Sequence, residues 1–308
     1  MQAVAWRPER EIELVAGTPP GGGQDRPARA LIEVLTANRL LDVPVKLTNI
    51  PGRGGGNGWD YLRTKAGDAH VLAINSPTII SNKLLGVSGF DYSALTPIAN
   101  LYTESPAFLV STGSRMNSLR HLSSRLANDP AAVAISLATA LGNTNHIALS
   151  LLTQHAGGDV RKLRIAVFDS ARDAIAHVIG GKAELAVVTA VSAVPELQAG
   201  QLRTLAVSAP KRLKGLFDNA PTLREHGVNC DIGMWRGLIG PAEMPADALA
   251  FWQRTLSAAT ASPAWQTELA KKYWANTYCD GADLRTFLDY EREITSKALR
   301  ELGLVSRA

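Results

Sequence analysis

The stretch Glu11-Ile-Glu-Leu-Val-Ala-Gly-Thr-Pro-Pro-Gly-Gly-Gly-Gln-Asp-Arg26 decides how the rest of the chain is read. Glu11–Gly17 is a short apolar run of strand type. Ala28, Leu31, Ile32 and Leu35 then share one face of a helix predicted over Ala28–Asn38. Between them, consecutive glycines let backbone approach a ligand closely, and a helix start favours an anion. A tight βα turn without a ligand accounts for the same glycines. The turn is no P-loop, because no Gly-Lys-Ser/Thr follows, and it lacks the GxGxxG spacing.

The same strand-to-helix unit recurs along the chain. Further strands are predicted at Val43–Ile50, Val71–Ser76, Ala107–Ser111, Val133–Ala138, Leu163–Asp169, Glu184–Thr189, Leu202–Ser208 and Ile232–Ile239. Asp173–Ile179, Ala246–Ala259 and Asp283–Leu302 carry helical periodicity. Strands alternating with helices predict an α/β protein with mostly parallel sheets. Polar stretches at Asp91–Pro106 and Pro210–Pro221 suit two crossings between lobes, giving 1–105 plus 216–308 as one lobe and 106–215 as the other.

Composition narrows the function. With 308 residues the chain has room for two domains of about 150. At 46% hydrophobic and 19% charged it is not an extended disordered chain. No apolar run nears the ~20 residues of a membrane helix. The 32 Lys+Arg against 28 Asp+Glu leave +4, too dispersed to argue for nucleic acid. Cys230 and Cys279 form no CxxC, and six scattered histidines show no HxxxH or HExxH, so neither a metal site nor any other cofactor is predicted. No GxSxG and no carboxylate pair demands a hydrolase.

Four more strand-end turns stand beside the first. Pro51-Gly-Arg-Gly-Gly-Gly-Asn-Gly58 either shares a crevice with the first turn or is loop geometry alone. Ala138-Thr-Ala-Leu-Gly-Asn-Thr-Asn-His146 offers hydroxyl and amide donors, with Asn145 or Thr144 as helix cap and His146 ordering the loop. Asp169-Ser-Ala-Arg-Asp173 and Thr189-Ala-Val-Ser192 are the others. Donor-rich turns at strand ends equip a protein to hold a small polar molecule.

The order of these motifs resembles the periplasmic substrate-binding proteins of tripartite tricarboxylate transporters, the Bug family. Its P-x-x-G-G-G-x-D motif stands here as Pro19–Asp25, with Arg29 where the family often has arginine, and its N-x-P-G-x-G-G as Asn49–Gly55. Its S-x-x-G-x-G-S-x-x-H is reduced to Ser136–His146, keeping Gly142, Asn143 and His146. Leu202–Ser208 with Lys211-Arg212, Pro221–Gly227, Trp235–Pro241 and Met244-Pro245 complete the series. The resemblance spans Glu11 to Leu304. Two departures fall where ligand identity is set: Phe168-Asp169-Ser170 replaces Y-K-G, removing a lysine, and Val188-Thr189-Ala190 replaces F-D-N.

What the resemblance implies is a two-lobed, periplasmic-binding-protein-like (Venus flytrap) fold with a carboxylated metabolite held between lobes. The binding residues implied are Thr18, Pro20, Gly21, Gly22, Gly23 and Asp25 on the first turn and Asn75 and Ser76 on another strand end. Thr139, Ala140, Gly142, Asn143, His146, Asp169, Ser170, Ala171 and Thr189 follow from the middle lobe, with Trp235 and Arg236 as lid or hinge wall, or Trp235 as core. Gly21, Gly22 and Gly23 are expected to give N–H donors, Asp25 to orient their loop, and Gly22→Val to abolish binding with the fold intact. Arg172 is a candidate replacement for the missing lysine.

The implied partners are a di- or tricarboxylate or aromatic carboxylate and membrane permease subunits, with no nucleic acid; the receptor is monomeric and not an enzyme. Met1–Glu11 shows no signal-peptide pattern, which fits either a cytosolic protein or a mature form, and the resemblance implies a periplasmic mature form. That compartment permits a Cys230–Cys279 disulfide, worth about 4 kcal/mol for a loop of ~50 residues. A sensor for a membrane kinase, or an enzyme acting on a small acid or phosphate ester, remains open.

Overall fold

Alternating side chains explain why the first strands form a buried sheet. Leu14 and Ala16 face one hydrophobic cluster and Val15 faces another, as expected when successive residues point to opposite sides. A computed structural model describes residues 6–139, 141–168, 170–230 and 232–305. Its strands, in chain order, are β1 (Ile12–Ala16), β2 (Val45–Asn49), β3 (Val71–Asn75), β4 (Thr96–Glu104), β5 (Pro106–Ser111) and β6 (Ala134–Ala138). There follow β7 (Arg164–Phe168), β8 (Leu185–Thr189), β9 (Leu202–Val207), β10 (Met234–Gly240) and β11 (Ala275–Asp280). The α-helices are α1 (Asp25–Ala37), α2 (Gly56–Arg63), α3 (Thr78–Leu84), α4 (Leu119–Asn128) and α5 (Thr144–His155). The later ones are α6 (Ala171–Ile179), α7 (Val194–Gln198), α8 (Ala246–Ala261), α9 (Pro263–Lys271) and α10 (Gly281–Glu301).

The described residues divide into two units. One runs to Thr103 and resumes over Trp235–Glu293; the other is Glu104–Met234 and the chain from Ile294 onward. The division differs from the expected one: the return falls at Met234/Trp235 rather than 216, and the chain leaves again inside α10. The physical reason lies in the cores. Leu284 and Leu288 of α10 pack in the first unit, whereas Ala298 packs in the second, beside Val228, Cys230 and Ile232.

The first unit's sheet has the order β11-β4-β10-β3-β1-β2. β1 runs parallel to β2 and β3, while β10 is antiparallel to β3 and β11 to β4. The second unit's order is β7-β6-β8-β5-β9, with β6 parallel to β7 and β8, and β5 antiparallel to β8 and β9. Each sheet is therefore mixed, where mostly parallel sheets were expected. Strands that carry the chain in or out of a unit run against the βαβ strands. The expected crossing at Asp91–Pro106 holds β4, whose buried Asn100 donates through Nδ2 to the Thr277 carbonyl of β11 at 2.9 Å.

Helix α1 covers one face of the first sheet with Ala28, Leu31, Val34 and Leu35, beside Trp252 and Leu256 of α8. Burial of a Leu side chain contributes roughly 1.5–3 kcal/mol, so this face anchors the start of α1. On the other face Trp59 of α2, Ile79 of α3 and Leu288 of α10 cover Val15 and Ala73. In the second unit α5 buries Ile147, Leu149 and Leu152 against Leu137, Leu185 and Val187. Parallel strands end on one edge of each sheet, and the turns singled out in the sequence follow them there.

The expected disulfide is absent: Cys230 and Cys279 are thiols. Cys230 is buried in the second unit's core, its Sγ 3.2 Å from the Ser208 hydroxyl. Cys279 pairs with Asn100 in the first unit's sheet, where burial pushes its thiol up to about 11. Each is held by its own unit's packing.

Candidate functional site

In the first unit the turn after β1 is built by its own side chains. The Thr18 hydroxyl accepts from the Gln24 and Asp25 N–H groups, both at 3.2 Å, and so closes the start of α1. Asp25 is fully buried; its Oδ2 accepts from Gly21 N–H and Arg29 Nε, each at 2.8 Å, and its Oδ1 from Asn49 Nδ2 at 3.0 Å. Burial alone would raise its pKa, but Arg29, the Gly21 N–H and Asn49 outweigh it and hold the carboxyl below its ordinary value. Asp25 therefore orients the loop as an anion.

This bonding corrects the expectation that three glycines donate to a ligand. Gly21 N–H is taken by Asp25, and Gly22 N–H closes a turn on the Pro19 carbonyl at 2.9 Å. Of the three glycines, only Gly23 has an N–H with no acceptor within this turn among the described residues. Gly22→Val is also no clean probe, since a Cβ at Gly22 would lie 2.6 Å from the Thr18 hydroxyl. Pro20 is exposed at the tip of the turn.

The second glycine cluster packs against the first. A Cβ on Gly17 would lie 2.4 Å from Gly55 Cα, and Gly55 adopts φ +111°, a region open to glycine. Gln24 joins the two turns, accepting from Gly17 N–H at 2.8 Å and donating to the Gly54 carbonyl at 3.4 Å. Arg53 closes the second cluster onto Asn57, Asp60 and the Val87 carbonyl. The cluster's role is support.

Three other first-unit candidates are core groups. Asn75 and Ser76 are buried, with Asn75 Oδ1 accepting the Ser76 N–H at 2.9 Å. Trp235 is 1% exposed, stands edge-on to Phe287 and donates through Nε1 to Glu291 Oε2 at 2.9 Å, so within the first unit it is a core residue. Burial pushes Glu291 up to about 7 against the lowering effect of that bond. Arg236, expected beside Trp235 as lid or hinge wall, instead reaches the first turn. It is 7% exposed and donates through Nε to the Gly23 carbonyl at 3.0 Å.

In the second unit the turn after β6 uses a neutral lock. Asn143 caps α5, its Oδ1 accepting the His146 N–H at 3.1 Å and its Nδ2 donating to the Ala138 carbonyl at 2.7 Å and Thr139 Oγ1 at 2.8 Å. The cap is thus Asn143, in place of Asn145 or Thr144. The Gly142 N–H donates to His146 Nδ1 at 2.8 Å, which fixes the proton of the neutral ring on Nε2. Burial lowers the His146 pKa to about 4, so the ring stays neutral at physiological pH. Thr139 sits at φ +73°, a strained position for a β-branched residue, and its N–H donates to the Phe168 carbonyl at 2.7 Å. Asn145, 4% exposed, keeps an Oδ1 with no protein partner among the described residues.

The remaining candidates are helix starts. Ser170 caps α6 by accepting the Asp173 N–H at 3.2 Å, and Ala171 is the first helical residue. Thr189 Oγ1 lies 2.9 Å from Ser192 Oγ, and Arg172 is exposed. Ala140 and Asp169 lie outside the described residues. The Ser136 hydroxyl lies 2.9 Å from His177 Nδ1, but Ser136 is fully buried and faces no substrate space. Among the described residues no group of three His, Cys, Asp or Glu is placed to hold a metal, and no helix is long and apolar enough to cross a membrane.

Comparison with known proteins places this geometry. The family described as "Tripartite tricarboxylate transporter family receptor" matches residues 28–304. Protein BugT of Bordetella pertussis is 24% identical over 303 residues, covering 96% of this chain and 90% of BugT. A Rhodopseudomonas palustris protein solved with adipate superposes with a TM-score of 0.84 at 21% identity, covering 97% of this chain and 99% of that one. MatC of the same organism, solved with bound malate, gives 0.74 at 21% identity, covering 97% and 100%.

Proposed function

The chain belongs to the tripartite tricarboxylate transporter receptor family, and on that premise we propose that it captures a small organic carboxylate outside the cytoplasm. In this reading it works as a monomer in the periplasm and delivers the acid, unaltered, to the membrane subunits of such a transporter. The observation that carries the reading is the turn at Gly23. The N–H groups of Gly21 and Gly22 are taken by Asp25 and the Pro19 carbonyl, leaving that of Gly23 as the glycine donor beside the start of α1, where the helix dipole favours an anion. The start of α5 is likewise a fixed turn, its His146 and Gly142 N–H groups held by Asn143 Oδ1 and His146 Nδ1. The adipate and malate held by two proteins of this fold support an acid of that size.

Calorimetry against di- and tricarboxylates, aromatic acids and neutral sugars tests the reading. One or more acids bind with micromolar or tighter affinity and the sugars do not. Gly23→Ala then weakens the acid at least about tenfold, with the melting temperature within a few degrees of the parent, because the new methyl meets only Arg236 Nη2, at 3.0 Å. Sugar binding without acid binding would sink the assignment.

A further inference from the structure

Arg236 is a charged side chain placed where a receptor for anions needs one. β10 pairs with β3 so that Gly237 lies opposite Asn75, which brings Arg236 to the edge where the parallel strands end. Along β10, Trp235 and Ile239 face the cluster around Trp59, while Leu238 faces the α1 side; Arg236 shares the parity of Leu238. Gly237 has no room for a side chain, since its Cβ would lie 2.5 Å from the Ala99 carbonyl, so β10 is seated tightly against β4. The arginine is thereby delivered from a rigid strand to the start of α1.

What it does there follows from the peptide it touches. Arg236 Nε donates to the Gly23 carbonyl at 3.0 Å, and Nη1 to the Trp235 carbonyl at 3.4 Å. The other end of the same peptide, the Gln24 N–H, donates to Thr18 Oγ1 at 3.2 Å. The peptide joining Gly23 to Gln24 is therefore held at both ends. On the preceding peptide, the Gly22 carbonyl accepts the Arg26 N–H at 3.1 Å. With these neighbours fixed, the direction of the Gly23 N–H is fixed too. A guanidinium this buried carries a desolvation cost, which makes a charge at this point more than filling.

We propose that Arg236 is the positioning residue of the first-unit site: it grips the Gly23 carbonyl so that the Gly23 N–H meets a ligand carboxylate, and its charge selects the acid over an uncharged isostere. This rests on the carboxylate reading above and adds to it a source of positive charge within the first unit. A lysine would carry the charge without the planar fork that holds one carbonyl in one direction.

The test separates the grip from the charge. In ¹⁵N-labelled, ligand-free protein, Arg236→Gln is expected to move the Gly23 and Gln24 amide resonances. It also speeds Gln24 amide exchange at least about tenfold, while core amides of α8 stay protected. Unchanged Gly23 and Gln24 amides would overturn the grip, whatever ligands do. With adipate and adipamide as probes, the parent prefers the acid at least about tenfold, Arg236→Lys keeps that preference at reduced affinity, and Arg236→Gln loses it. A preference retained in Arg236→Gln would overturn selection by charge. A parent that binds neither probe nor any other acid would overturn the carboxylate reading and the selection with it, while the amide measurement still decides the grip. Should Arg236→Gln fold poorly, Arg236→Lys, which keeps the charge but lacks the Nε donor to the Gly23 carbonyl, must speed Gln24 amide exchange in the same way.

Discussion

In the first unit the turn after β1 is locked by a carboxylate; in the second, the turn after β6 is locked by an imidazole. Asp25 is buried and ionised, with Gly21, Arg29 and Asn49 gathered on its oxygens. His146 is buried and neutral, accepting one N–H from Gly142. Both place a left-handed glycine before a helix start, at φ +77° in each case. The difference shows that a donor-bearing turn needs a fixed acceptor beneath it, but the acceptor need not carry charge. Where it does, a nearby cation offsets its field: Arg29 for Asp25.

Removing the charged lock is the largest break. Asp25→Ala strands the Gly21 N–H and the Asn49 amide and is expected to cost about 3 kcal/mol in urea unfolding at pH 7. A loss below about 1 kcal/mol would mean that the turn is held elsewhere.

The second test sets the locks against a buried carboxyl of opposite sign. Glu291, raised to about 7 by burial, contributes stability that is complete below its ordinary value near 4.5 and is lost as pH rises through about 7. Glu291→Gln keeps an acceptor for Trp235 without titrating. It is expected to exceed the parent by on the order of 2 kcal/mol at pH 8 and to match it near pH 4, read from unfolding curves across that range. Parallel curves would refute the assignment.

The smallest effect sharpens the neutral side of the comparison. The depressed His146 pKa means its contribution is full above 6.5 and lost as pH falls through about 4. His146→Leu, which leaves the Gly142 N–H unpaired, is expected to cost about 1 kcal/mol at pH 7. NMR titration of the parent should show the ring uncharged at pH 5.5, and a midpoint near 6.5 would contradict the neutral lock.

Strands β1, β3 and β8 were legible because their runs are apolar and end in turn residues. β4 and β11 were not, because their sequences, Thr96–Glu104 and Ala275–Asp280, are rich in polar groups whose partners lie far away in the chain. Asn100 and Thr277 meet across 177 positions. The glycine turn announced itself, but which of its N–H groups stays available depends on Asp25 and Pro19, whose reach only the folded turn displays. Arg236 stood in plain view between Trp235 and Gly237, yet its contact with Gly23 closes over 213 positions. The disulfide was read from compartment and spacing alone, which say nothing of the packing that each thiol meets in its own unit.

The backbone contact between Gly17 and Gly55 also limits how such a receptor can diverge. Two turns pressed together without side chains behave as a single heritable unit, because a new side chain on either one displaces the other. Change in ligand preference has to enter at positions that spare the seam, such as the exposed Pro20 or the open space around Gly21. Gly21 lies at φ +77°, a conformation that asparagine tolerates better than most residues. A library meant to retarget the receptor gains more from randomising those two sites than from the glycines that drew the eye.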